Sequence, residues 1–167
     1  MGVVTFEGQN EGSSVPPAKL FKMMVLEAER YIPKVVPGLF KGLDNLQGEG
    51  GSGTVRHVNF SEGYQFSHLK QTLDGIDEEN FIFDYSIVGG DPAFIDTTKV
   101  EKMSFQVKFE TSPNGRNISK RSCKAYTVDG VEVNEDEIRA FLEKTNQTFF
   151  ETVKIYEAYA LANPDDV

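Results

Sequence analysis

The chain has 167 residues, 39% of them hydrophobic and 26% charged, with a formal net charge of -9 at pH 7 and an isoelectric point near 4.7. That length lets a fold bury about 70% of the unfolded chain's surface, and the composition is that of an ordinary globular protein. The acidic balance disfavours nucleic acid and anionic membranes as partners, because the one basic grouping, Lys120-Arg121 with Lys124, is small.

A strand opens the chain at residues 3–6. Ser13-Ser14 supplies a cap ahead of Pro16-Pro17, and proline is tolerated in a first helical turn. Residues 18–30 follow as helix, with Leu20, Phe21, Met24 and Val25 at helical spacing, until Pro33 and Pro37 break it. Next comes Leu46-Gln47-Gly48-Glu49-Gly50-Gly51-Ser52-Gly53-Thr54, a loop between two strand-like segments. Gly48, Gly50, Gly51 and Gly53 permit a tight bend. Thr54 follows Gly53 directly, however, so the lysine of a phosphate-binding loop is missing and the nucleotide signal is weak.

The middle of the chain alternates with period two, the mark of antiparallel strands with one buried face. Tyr64, Phe66 and His68 form one such row, Phe81, Phe83, Tyr85 and Ile87 a second, and Met103, Phe105, Val107 and Phe109 a third. Asn114-Gly115 marks a hairpin before the next strand. Asn134 caps the last element, with Glu135, Asp136 and Glu137 suited to the positive end of a helix dipole. Ile138, Phe141, Leu142, Thr145, Phe149, Val153, Tyr156 and Ala160 then recur three or four residues apart. A helix ending before Pro164 would be about 40 Å long.

Cys123 is the only cysteine, so no internal disulfide can form. The N-terminus has no secretory signal pattern, and no apolar run approaches the ~18 residues that cross a bilayer. A cytoplasmic location and no membrane association are expected, and the sequons at Asn59, Asn117 and Asn146 read as chance matches. With no internal repeat or linker, residues 1–167 are expected to form a single domain.

The glycine-rich loop and its continuation Thr54-Val55-Arg56-His57-Val58 resemble the signature loop of the major birch-pollen-allergen family, the intracellular pathogenesis-related proteins of class ten. Met1-Gly2-Val3-Val4-Thr5-Phe6, Pro16-Pro17-Ala18-Lys19-Leu20-Phe21-Lys22, Tyr31-Ile32-Pro33-Lys34 and Glu157-Ala158-Tyr159-Ala160-Leu161-Ala162-Asn163-Pro164 fit the same family in its order, end to end. The resemblance implies an α+β helix-grip fold. In it a seven-stranded curved antiparallel sheet wraps around the long C-terminal helix, with two short helices after the first strand. It also implies a hydrophobic cavity between sheet and helix, holding a small amphipathic ligand such as a flavonoid, cytokinin, steroid or fatty acid. Carried over by position, Met24, Val25, Phe60, Phe66, His68, Phe83, Tyr85, Phe105 and Val107 line that cavity, with Phe141 and Phe149 facing it from the helix. His68 and Tyr85 are the polar candidates for orienting a ligand. On periodicity alone the same aromatic rows read as a closed core.

One strand departs from the family. Between Ile118 and Thr127, the matching parity turns Ser119, Arg121, Cys123 and Ala125 inward, since the opposite parity would bury Lys120 and Lys124. An inward Arg121 needs a carboxylate partner or an anionic ligand. The sequence reading favours instead that Arg121 snorkels to the cavity mouth or that a bulge shifts the register. The segment from Gly89 to Val100 and the final helix also look longer than the family pattern, which reshapes the entrance.

For catalysis, the residues matching those credited with ribonuclease activity in the family are Glu101, Glu157 and Tyr159. Glu157 and Tyr159 are two apart on a helix and share no face, and His57 and His68 are assigned to strands of opposite parity, so no histidine pair is expected. Alkaloid-type condensation would need Lys120 or Lys124 facing inward. The expected reading is a binding protein of plant defence type, used in storage, transport or signalling, without cofactor or metal. It is taken as a monomer. A hormone-receptor role with a phosphatase as partner is the second reading that the resemblance offers.

Overall fold

The computed structural model describes residues 2–167; Met1, the first residue of the N-terminal motif, lies outside the described residues. Strand β1 (Val3–Glu11) leads into helix α1 (Pro17–Phe21), a π-helical turn (Lys22–Leu26) and helix α2 (Ala28–Val35). Six strands follow, β2 (Phe40–Gln47), β3 (Val55–Phe60), β4 (His68–Asp77), β5 (Ile82–Gly90), β6 (Val100–Thr111) and β7 (Asn117–Thr127), before helix α3 (Glu135–Ala162). All seven strands join one antiparallel sheet in the order β1-β7-β6-β5-β4-β3-β2.

The helical break sits elsewhere than the prolines suggest. Pro33 lies inside α2, and the interruption falls at Glu27, whose φ of -121° ends the π turn. The π turn carries Met23, which is fully buried.

Alternation dictates the sheet's inner face. Along β6, Met103, Phe105, Val107 and Phe109 are buried while Lys102 and Gln106 are exposed. Register shifts in the β2–β3 and β4–β5 pairings are the kind of bulge that bends strands and strengthens twist, and the sheet curves around α3. The Asn134 side chain caps α3 by accepting from the Glu137 N–H at 3.2 Å. Gly8 lets the helix come close, because a Cβ there would stand 3.4 Å from Asn146 Nδ2 and 3.5 Å from the Phe150 ring.

Two apolar clusters fill the concave side. One joins α1, α2 and the C-terminal half of α3 to the sheet through Leu20, Phe21, Tyr31, Phe109, Val153 and Tyr156. The other joins Val4, Ile87, Met103, Phe105 and Ala125 to Leu142 of α3. Among the described residues, no helix is long and apolar enough to cross a membrane.

Candidate functional site

Residues from both clusters line a pocket of about 700 Å³ between the sheet and α3. Met24 and Val25 reach it from the π turn, and Phe60, Phe66, Phe83, Tyr85, Phe105, Val107 and Arg121 from the sheet and its loops. Phe141 and Phe149 face it from α3. At the rim Phe66 meets Phe94 and Phe141 edge-on, with ring centroids 5.1 and 6.4 Å away. Phe94 belongs to the segment between β5 and β6.

His68 is not among the lining residues. Tyr64 and Phe66 belong to the loop before β4, which begins only at His68, so their parity does not carry into the strand. Leu69 and Gln71 face the pocket instead. The register Asn59↔His68 and His57↔Lys70 puts both histidines on the sheet's outer face, with ring centroids 5.2 Å apart. The histidines do pair, contrary to the parity argument, and they do so away from the pocket. There His68 Nδ1 lies 3.0 Å from Ser67 Oγ.

Arg121 is turned inward and 6% exposed, neither at the mouth nor displaced by a bulge. Its register with Val107 and Gly8 is regular. What makes this tolerable is a set of neutral partners from two elements. Nη1 donates to Thr145 Oγ1 at 2.9 Å and Asn146 Oδ1 at 2.7 Å, and Nη2 donates to the Tyr85 hydroxyl at 2.9 Å. The guanidinium carbon sits 4.3 Å from the Phe105 ring centre and 5.3 Å from that of Phe149, close enough for cation–π attraction.

Cys123 lies beside Arg121, 1% exposed, and does not line the pocket. Its thiol donates to Asn146 Oδ1 at 3.2 Å. Burial pushes the thiol's pKa up, against the pull of Arg121 and Thr145. A disulfide reagent at pH 8 is therefore expected to leave Cys123 unmodified in the folded protein and to titrate one thiol after unfolding in urea. Rapid labelling of the native state would contradict this burial.

Sequence reasoning missed a second buried cation. Arg56 is 7% exposed and donates from Nε to Gln71 Oε1 at 2.7 Å across the β3–β4 ladder. Burial lowers its pKa, while Glu29 and Tyr85 oppose that. The signal was available, since Arg56 shares strand parity with Phe60. Asn146 was also missed, hidden as a sequon one residue off the apolar stripe of α3.

The glycine-rich loop connects β2 to β3. Gly48, Gly50 and Gly53 have φ of 90°, 101° and 89°; Gly51 needs no positive φ. At Gly48 a Cβ would also stand 2.7 Å from Thr54 Oγ1. The loop's amides serve itself and β4: Gly50 N–H donates to Thr54 Oγ1 at 2.9 Å and Gly53 N–H to Leu73 O at 2.7 Å. Thr54 N–H donates to Gly51 O at 3.1 Å, so the turn is braced from within and against β4.

Glu101, Glu157 and Tyr159 are not brought together. Glu101 is exposed near the start of β6, beside the Thr127 end of β7. Glu157 bonds to Asn117 at the other end of β7, about 34 Å away along the strand. The Tyr159 hydroxyl donates to the Asp166 carboxylate. Lys120 pairs on the outer face with Glu110 at 2.9 Å, and Lys124 is exposed.

The family model for the pathogenesis-related protein Bet v 1 family matches residues 5–163. The chain is 41% identical over 165 residues to the major allergen Pru ar 1 of Prunus armeniaca, covering 99% of this chain and 98% of that one. It is 38% identical over 166 residues to the major strawberry allergen Fra a 1-2 of Fragaria ananassa, covering 99% of each. Among solved structures, that of Ara h 8.0201 superposes with a TM-score of 0.75 at 32% identity, over 97% of this chain and 100% of the other. The ginseng major latex-like protein 151 of Panax ginseng shares the fold, with a TM-score of 0.69 at 19% identity over 94% and 97% of the two chains.

Proposed function

Because the chain belongs to the pathogenesis-related protein Bet v 1 family, we propose that it binds a small amphipathic molecule in the pocket between sheet and α3. One observation carries the reading. Thirteen phenylalanines and a long helix leave about 700 Å³ unfilled between them, within the usual size of a ligand site. A closed core would have collapsed onto that volume, since interiors pack to crystal-like density. The wall chemistry fits an amphipathic guest. Phe83, Phe105 and Phe149 offer apolar area, while Arg56, Gln71, Tyr85 and Arg121 offer a few oriented polar groups. Burial of the ligand's apolar surface supplies the affinity, at roughly 25 cal/mol per Å² before ordering costs.

The test is titration with N-phenyl-1-naphthylamine, a neutral probe whose fluorescence rises in apolar surroundings. Saturable binding in the micromolar range is expected. Val25→Trp, at a half-buried position on the pocket wall, should weaken it about tenfold while leaving the unfolding midpoint nearly unchanged. Absence of saturable binding to the unaltered protein would overturn the reading.

A further inference from the structure

Resting on that reading of the pocket, we infer that its preferred ligand is anionic, a carboxylate on an aromatic or aliphatic body, with the Arg121 guanidinium as counterion. Arg121 has three neutral oxygen partners, on Tyr85, Thr145 and Asn146, and no ion pair joins it to a carboxylate among the described residues. Its Nε–H is buried without an acceptor. The Tyr85 hydroxyl accepts from Nη2 and finds no acceptor for its own proton among the described residues. The Nε–H is walled in rather than turned to the open space, so what the pocket wall presents at one place is the guanidinium charge and the unmatched Tyr85 hydroxyl proton.

The second buried cation reinforces this. Arg56 lines the same pocket, and its one hydrogen bond, from Nε to Gln71, goes to a neutral oxygen. Glu29 and then Tyr85 act electrostatically on Arg56, and Tyr85 is also in contact with Arg121, so Arg56 feels one carboxylate at a distance while both cations bear on the same part of the wall. Two exposed charges also line the pocket, Lys144 and Glu151, and are of opposite sign. The interior is thus cationic in a protein whose net charge is -9.

An uncompensated buried cation is costly. Away from bulk water, charge-assisted hydrogen bonds to an incoming carboxylate are short and strong. A neutral ligand of the same shape gains the apolar contacts but leaves the charge unmatched. The discrimination is between an acid and its neutral isostere.

Calorimetry with 1-naphthylacetate and 1-naphthylacetamide, similar in size and different in charge, measures it directly, with N-phenyl-1-naphthylamine as the neutral reference. At pH 7 the acid is expected to bind about tenfold or more tighter than the amide. Arg121→Leu should abolish that preference. Equal affinity for acid and amide in the unaltered protein, with the reference still bound, overturns the anionic assignment and leaves the pocket reading intact. A preference that survives Arg121→Leu overturns the role of Arg121. Failure of all three compounds overturns both readings. The acid–amide comparison needs no variant, so it decides the matter even where Arg121→Leu fails to fold.

Discussion

Phe21→Ala is expected to destabilise the protein by about 4 kcal/mol, lowering the thermal midpoint by about 8–16 °C. Phe21 closes α1, is 1% exposed and meets the Phe81 ring at a centroid distance of 5.8 Å. Leu20 and Met23 on either side are also fully buried, so the surroundings cannot relax into the space left behind. Phe66→Ala removes a side chain of the same kind, yet should cost no more than about 1 kcal/mol. Its ring is half-buried at the pocket rim, where the neighbours of Phe66 are other rim aromatics, Phe60, Phe94 and Phe141. Urea unfolding of both variants separates a packed cluster from a pocket wall. Equal losses would mean that the rim is core and the pocket is not open space.

That contrast shows what the chain discloses on its face and what it withholds. The β6 row from Met103 to Phe109 is legible because period two is a local property, and one buried face suffices to fix it. The glycine-rich loop is legible for a similar reason, since positive φ at Gly48 and Gly53 is written in residue type. Arg56 could have been read by carrying the parity of Phe60 back along β3. His68 could not be placed by extending the row from Tyr64, because the strand starts at His68 itself and parity is lost across a loop. The helical break at Glu27 is equally hidden. Pro33 is the stronger local signal, yet it sits inside α2, and no residue type marks Glu27 as the break.

Arg121 is the most instructive residue: strand parity turns it inward, as the structure has it, while the preferred reading keeps it at the mouth or shifts it by a bulge. On local grounds, desolvation favours a guanidinium at the surface. The structure offsets that cost with Tyr85 from β5, Thr145 and Asn146 from α3, and the faces of Phe105 and Phe149. None of these is near Arg121 in sequence; the sequence reading assigns Tyr85, Phe105 and Phe149 to the cavity and Thr145 to the helix stripe, but nothing local joins them to one another or to Asn146. A charge stabilised by scattered neutral groups leaves no motif.

Glu157→Ala is the second large effect, expected to cost about 3 kcal/mol and about 6–12 °C in the thermal midpoint. Glu157 is 3% exposed on α3. Its Oε2 accepts from the Ser13 N–H at 2.5 Å and from Asn117 Nδ2 at 2.9 Å. Asn117 Nδ2 in turn reaches the carbonyls of Ser13 and Val15 at 3.1 and 3.2 Å. One carboxylate thus ties the end of α3 to the β1–α1 connection and to the start of β7. Truncation leaves the half-buried Ser13 amide without its acceptor and the buried Asn117 Nδ2 with one fewer, which costs more than the hydrogen bonds themselves contribute. Glu157→Gln keeps the shape and one acceptor oxygen, and should recover more than half of the loss. The comparison also bears on chemistry. A carboxylate held by two structural donors, about 34 Å from Glu101 along β7, is poorly placed to act as an acid or base with it. Should Glu157→Ala prove nearly neutral in urea unfolding, the structural account would fail and Glu157 would become a group free to serve another purpose.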